Sequence, residues 1–201
     1  MGVERSTAPD SVEHVLRLSA RLDRRFHALK GDAVVTSKER AFRELFRILE
    51  ENGVRYALIG GLAVQLLGEE ARTTLDIDVA VESYDHVPQA ALVAAGFRRL
   101  GRHEHSENWM GPEETPVQFS ADPEFSSLIE HAVTRSFEGG LVRVAPAIEL
   151  VRSKLRAARD EARRPSKRLR DLADAQALIE REPDLERELS EAERTLLRRP
   201  L

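Results

Sequence analysis

Apolar positions along the chain repeat with two periods, and the switches between them mark the elements. Val12, Val15, Leu16, Leu18, Leu22 and Phe26 share one stripe, which predicts a helix over residues 11–29 that stops at Gly31. A second stripe of Phe42, Leu45, Phe46 and Leu49 predicts a helix over residues 37–52, with Ser37 as N-cap and Gly53 as stop. The run RYALI at 55–59 is short, apolar and closed by Gly60 and Gly61, so it reads as a strand, with a short helix over 62–67 behind it. From Thr74 the period falls to two. Leu75, Ile77, Val79 and Val81 alternate with Thr74, Asp76, Asp78, Ala80 and Glu82, the mark of a half-buried strand with both aspartates on one face.

Asp85 is a cap for a helix reaching about residue 95 and stopped by Gly96. Residues 97–100 and 115–120 predict strands around an irregular acidic segment that holds His103, His105 and Trp109. A helix over 124–134 and a strand over 141–144 follow, and beyond Pro146 the pattern is helical to the end, broken at Pro165 and Pro183. This order predicts an α/β (α+β) chain, a small mixed β-sheet flanked by helices with a C-terminal helical extension. The expected divisions are an N-terminal helix in 1–35, a core in 36–145 and a helical region in 146–201.

Composition narrows the chemistry. The chain has 201 residues, 41% of them hydrophobic, enough to bury one core. No apolar run is long enough for a bilayer and the first ten residues are polar, so the expectation is a cytoplasmic protein without a membrane partner. Cysteine is absent, which excludes disulfides, thiolate metal sites and cysteine nucleophiles. A formal charge of −4 hides a local asymmetry: residues 152–170 carry nine basic side chains against Asp160 and Glu161, a net +7. That stretch is either a phosphate or RNA contact or a solvated helical face.

Two carboxylates at i and i+2 on one strand face lie about 6.5–7 Å apart at their Cα atoms, close enough to hold divalent cations between them. Asp76 and Asp78 are therefore candidate ligands for Mg2+, or Mn2+, which takes a few carboxylates together with phosphate oxygens. Gly60 and Gly61 supply the other half, because glycines let a phosphate approach the backbone where the next helix offers free N–H groups. His103 and His105 lack a third partner and read as surface residues, and Trp109 reads as a packing anchor.

The run IGGLAVQLLGEEARTTLDIDVAVE at 59–82 resembles the nucleotidyltransferase superfamily that includes polymerase beta, whose signature is a helix-opening Gly-Gly or Gly-Ser followed by Asp-x-Asp on the next strand. Its Arg72-x-Thr74-x-Asp76-x-Asp78 wording is most similar to the AbiEii-type nucleotidyltransferases of bacterial toxin–antitoxin and phage-defence systems. The segment VRVAPAIELVRSKLRAARD with KRLRDLADAQALIE, within 142–180, resembles that family's later strand, lysine-bearing helix and Asp-x-x-Asp helix. The resemblance implies the nucleotidyltransferase fold and an enzyme that moves a nucleoside monophosphate from an NTP to a tRNA or protein acceptor, with a cognate antitoxin as a further partner. It implies that Gly60 and Gly61 cradle the triphosphate with Arg72 and Thr74 beside them, that Asp76 and Asp78 hold metal, and that Lys154 reaches a triphosphate oxygen or the acceptor. Asp171 and Asp174 match the acidic helix. In TPVQFSAD the place of a third carboxylate falls on Gln118, an amide that cannot act as a base. The alternative is accordingly an impaired protein of the same fold that binds nucleotide, RNA or a partner protein. Neither reading specifies the base, the acceptor or the oligomeric state.

Overall fold

The computed structural model describes residues 12, 14–18, 38–68, 74, 76–103, 105–137 and 140–198. Residues 14–18 are helical, with Val15 and Leu16 in the core; the rest of the expected first helix, the Ser37 cap and Arg72 lie outside the described residues.

Helix α1 (Glu39–Glu51) buries Phe42, Leu45, Phe46 and Leu49 completely. Its outer face carries Arg47 between Glu44 and Glu51. Asn52 ends it by donating from Nδ2 to the Ile48 carbonyl at 2.8 Å, and Gly53 then takes φ +62°. Strand β1 (Tyr56–Ile59) leads directly into α2 (Gly60–Leu67), so this helix starts at the glycines rather than after them. Strand β2 (Ile77–Val81) is shorter than the alternation suggests, and Asp76 lies just ahead of it.

Ser83 caps a 3-10 turn over Tyr84–His86 by accepting the Asp85 N–H, so Asp85 is the capped residue and not the cap. Helix α3 begins later, at Gln89–Ala94. The segment expected to be irregular forms a hairpin of β3 (Arg98–His103) and β4 (Ser106–Gly111), followed by β5 (Thr115–Ser120). Its period of two is masked because a carboxylate takes a core position: Glu107, Trp109 and Gly111 are buried while Ser106, Asn108 and Met110 are half-buried. The helix expected over 124–134 divides into a 3-10 turn (Pro123–Phe125), α4 (Ser126–Glu130) and strand β6 (Val133–Phe137). Strand β7 (Gly140–Val144) and helices α5 (Ala147–Arg159), α6 (Pro165–Arg181), α7 (Leu185–Glu188) and α8 (Glu191–Arg198) complete the chain.

The seven strands form one mixed sheet in the order β3-β4-β5-β2-β1-β7-β6. β2 runs antiparallel to β1 and parallel to β5, and β1 runs parallel to β7. Alternation along β1 separates the two faces. Tyr56 packs its ring 5.3 Å from Phe46 of α1, while Ile59, three residues on, faces a cavity under α5. Helix α2 packs on β1 and β2 and against both α5 and α6, and one hydrophobic cluster runs from Val12 through the sheet to Leu178, Leu185 and Leu189. No described helix is long and apolar enough to cross a membrane.

Candidate active site

The site grows from one point of strand register. Ile59 pairs with Asp78 across β1 and β2, which lays the Asp78 carboxylate over the first residue of α2. A Cβ at Gly60 would sit 1.9 Å from Asp78 Oδ2, and Gly60 also takes φ +67°. Both facts demand glycine. The N-cap residue Ile59 offers no side-chain cap and no acidic residue stands in the first turn of α2, so the N–H groups and positive dipole end of this N-terminus favour an anion.

Gly60 and Asp78 line a cavity of about 270 Å³ together with Gln118, Ser120 and Asp122 from β5 and its exit, His105 from the β3–β4 turn, and Ser153 and Lys154 from α5. Ile59, Phe125, Leu128, Leu150 and Ala157 supply its apolar lining, and Arg163 and Asp171 line it as well. Of the residues singled out in the sequence, the cavity thus gathers Gly60, Asp78, Gln118, Lys154, Asp171 and His105. Gly61 is buried in the first turn of α2. Asp76 is half-buried and outside this lining, where Thr74 donates from Oγ1 to Asp76 Oδ1 at 3.3 Å. Asp174 is buried and outside this lining, and His103 is exposed at the end of β3.

Gln118 lies beside Asp78 on the neighbouring parallel strand. Val117 and Phe119 are buried on the opposite face, and Asn108 of β4 pairs on the other side of Gln118. A row of Asp78, Gln118 and Asn108 therefore crosses three strands.

Lys154 does not point a solitary charge at the cavity. Its Nζ lies 3.0 Å from Asp171 Oδ1 and 2.8 Å from Asp174 Oδ2, and Arg163 donates from Nε to Asp171 Oδ2 at 2.7 Å. Asp171 and Asp174 are each 5% exposed at the side chain, Lys154 14% and Arg163 37%. Sequence reasoning passes over Arg163 and the apolar lining, whereas Asp122, with Glu124, is the nearest carboxylate in sequence that could replace Gln118 as base. Arg163 is present there only as one of nine basic residues.

A family model described as "Nucleotidyl transferase AbiEii toxin, Type IV TA system" matches residues 43–200. The chain belongs to the AbiEii nucleotidyltransferase family. The match takes in both walls of the cavity, from the Gly60 turn to the Asp171 helix. No curated protein matches the chain. Among solved structures it is similar to the Megavirus polyadenylate synthase, at 12% identity and TM-score 0.52 over 91% of this chain and 39% of that one. It is also similar to the lincosamide antibiotic adenylyltransferase LnuA bound to lincomycin (14%, TM-score 0.49, 70% of this chain and 97% of that one) and to JHP933 from Helicobacter pylori (20%, 0.47, 73% and 69%). The Megavirus likeness identifies the mixed sheet and its helices as a nucleotidyltransferase fold; fold alone does not assign a substrate.

Proposed function

We propose that this AbiEii-family chain transfers a nucleoside monophosphate from an NTP to a hydroxyl of a tRNA or protein acceptor, as the toxin of a toxin–antitoxin pair. The observation that carries the reading is the Asp78 carboxylate laid over Gly60 at the uncapped start of α2. It sets a metal-type ligand against a phosphate-type cradle in one cavity. The donor set fits Mg2+ or Mn2+: Asp76 and Asp78 are hard oxygen donors, and Thr74 orients Asp76. Such an ion takes its remaining ligands from phosphate and water. Bound there, the ion would supply charge stabilisation at the phosphate oxygens.

The chain's own residues would do the rest. The N–H groups that open α2 bind the triphosphate, and Lys154 belongs to the same pocket. The acceptor oxygen bonds to the α-phosphorus, the α–β anhydride bond breaks, and pyrophosphate leaves with the electron pair. The acceptor proton goes to a carboxylate. Gln118 cannot take it, and Asp171 has both oxygens held by cations. Glu124 is exposed and paired with Arg156 at 2.9 Å. Asp122 lines the cavity with one oxygen accepting the Glu124 N–H at 2.9 Å and the other making no hydrogen bond among the described residues, and is the base we assign.

Gln118 also favours a second reading, a protein of this fold that binds nucleotide, RNA or a partner without transferring. Incubation with each labelled NTP and total tRNA, and then with a cell protein extract, separates the two. Label carried into RNA or protein with Mg2+ and abolished by Asp78→Ala supports transfer; NTP binding with no label carried over supports the second reading.

A further inference from the structure

Four charged side chains meet at the α5–α6 wall, and they are unequally engaged. Lys154 touches both buried carboxylates, so drawing its ammonium toward a ligand would pull it away from Asp171 and Asp174 in a site that water barely reaches. Arg163 is different. It uses only Nε on Asp171, its Nη groups make no hydrogen bond among the described residues, and it sits on the short connection between α5 and α6. Asp171 is shared by two cations, so its charge does not depend on the guanidinium alone. Of the two cations in this cluster, the guanidinium is thus the one held through a single nitrogen, with both Nη groups unengaged among the described residues, and it lines the same cavity as Gly60.

We propose that Arg163 is the side chain that grips the β- and γ-phosphates of the bound triphosphate, while Asp171 and Lys154 are positioning residues that aim it. The inference rests on the nucleotidyltransferase reading and changes its residue roles. A guanidinium holds a carboxylate through Nε and a phosphate through its two Nη groups at once, in one plane. An ammonium at the same place is a point charge that must leave one for the other. Lys154, hydrogen-bonded to Asp171 and ion-paired with Asp174, keeps the wall neutral and rigid.

The test is calorimetric titration of ATP, GTP, CTP and UTP, and of the matching monophosphates, into the full chain with Mg2+, alongside thermal melts. Arg163→Lys and Arg163→Gln are expected to weaken the preferred triphosphate at least tenfold, to leave its monophosphate within twofold, and to melt within a few degrees of the natural protein. Asp171→Asn, which keeps an oxygen but removes the charge that orients the guanidinium, is expected to fall between the two. Triphosphate affinity unchanged in both Arg163 variants overturns the inference, as does an equal loss for triphosphate and monophosphate. Asp78→Ala separates the two levels. If it abolishes binding while the Arg163 variants bind normally, only the present inference fails. A natural protein with no NTP affinity defeats both.

Discussion

Two clusters in this protein are made of the same parts and end in opposite states. On the β3–β4 hairpin Glu107 is fully buried, accepting Trp109 Nε1–H at 2.9 Å through one oxygen and Arg99 and Arg102 through the other, at 2.7 and 2.9 Å. Arg102 also stacks its guanidinium 4.5 Å from the Tyr84 ring centroid. Both carboxylate oxygens and the indole N–H are satisfied within the hairpin itself. On the α5–α6 wall two buried carboxylates meet two cations, yet one guanidinium is left half-used at the edge of a cavity. Carboxylates among arginines therefore do not by themselves mark a site. What separates scaffold from candidate site is unspent hydrogen-bonding capacity facing a space that a ligand can enter.

The largest expected effect lies on the open side. Asp76→Ala combined with Asp78→Ala is expected to abolish Mg2+-dependent NTP binding and to leave the urea midpoint unchanged, because the pair repels itself and neither carboxylate is fully buried. Calorimetry with and without Mg2+ checks it. Retained Mg2+-dependent affinity would erase the contrast with the hairpin, since Asp78 would then be as structural as Glu107.

The hairpin should answer in the reverse way. Glu107→Ala leaves the buried Trp109 N–H without its acceptor and separates two arginines from their shared partner, a loss of about 3 kcal/mol in urea unfolding; the arginines are 40% exposed and recover part of their hydration. NTP affinity should not move. The pH dependence follows from the same carboxyl. Burial alone would raise its pKa, but the Trp109 N–H and the two guanidiniums outweigh burial and hold it below the ordinary 4.5. With the folded value lowered, Glu107 contributes its stability above pH 4.5 and loses it as the pH falls through the folded value. The natural protein should accordingly lose stability over that acid window more steeply than Glu107→Ala. Parallel curves would show that the hairpin carboxyl is not held as described.

A smaller effect concerns residues 152–170. Folding occupies much of the +7 stretch: Arg152 donates to Glu149 and to the Glu188 carbonyl, Arg156 pairs with Glu124, Arg159 donates to the Ala192 carbonyl, and Arg168 donates to the Ala158 carbonyl. Arg164, Lys167 and Arg170 are exposed and make no ion pair among the described residues. If RNA lies along α6, its affinity should fall with salt at a log–log slope of about −2 to −3, the value for roughly three phosphates. Replacing all three by Gln should flatten the slope. A slope unaffected by the triple change would return this face to solvent.

How much of this was open to sequence reading depends on where each group's partner lies. Gly60 and Asp78 belong to neighbouring elements, so the Gly-Gly turn and the Asp-x-Asp alternation are enough to single both out. The α1 stripe was legible for the same reason. Glu107 was not, because a charge at a core position breaks the alternation that would reveal β4. Strand β6, VTRSF, is exposed along nearly its whole length at the sheet edge and so carries no pattern of burial. The role of Lys154 depends on Asp171 and Asp174, and that of Arg163 on Asp171, pairings that exist only once α6 folds back along α5. Nothing in local periodicity encodes that return.

Gln118 is where the row across the sheet can be changed most gently. It stands between Asp78 and Asn108 on the cavity face, so Gln118→Asp sets a second carboxylate beside Asp78 without altering the buried side of β5. Without metal the two charges repel, which should raise one of the two pKa values and cost about 1 kcal/mol of stability. Mg2+ should restore that loss by binding between them, and the rise in melting temperature on adding Mg2+ should then exceed the rise in the natural protein. A carboxylate at this position can also take the acceptor proton, which the amide cannot. Transfer to tRNA or protein should therefore appear, or quicken several-fold, in the variant. If Asp122 already serves as base, Asp122→Asn should silence the natural protein while Gln118→Asp rescues it in the double variant. A double variant that stays silent, with its Mg2+-dependent rise in melting temperature intact, would mean that the position beside Asp78 holds metal but does not face the acceptor.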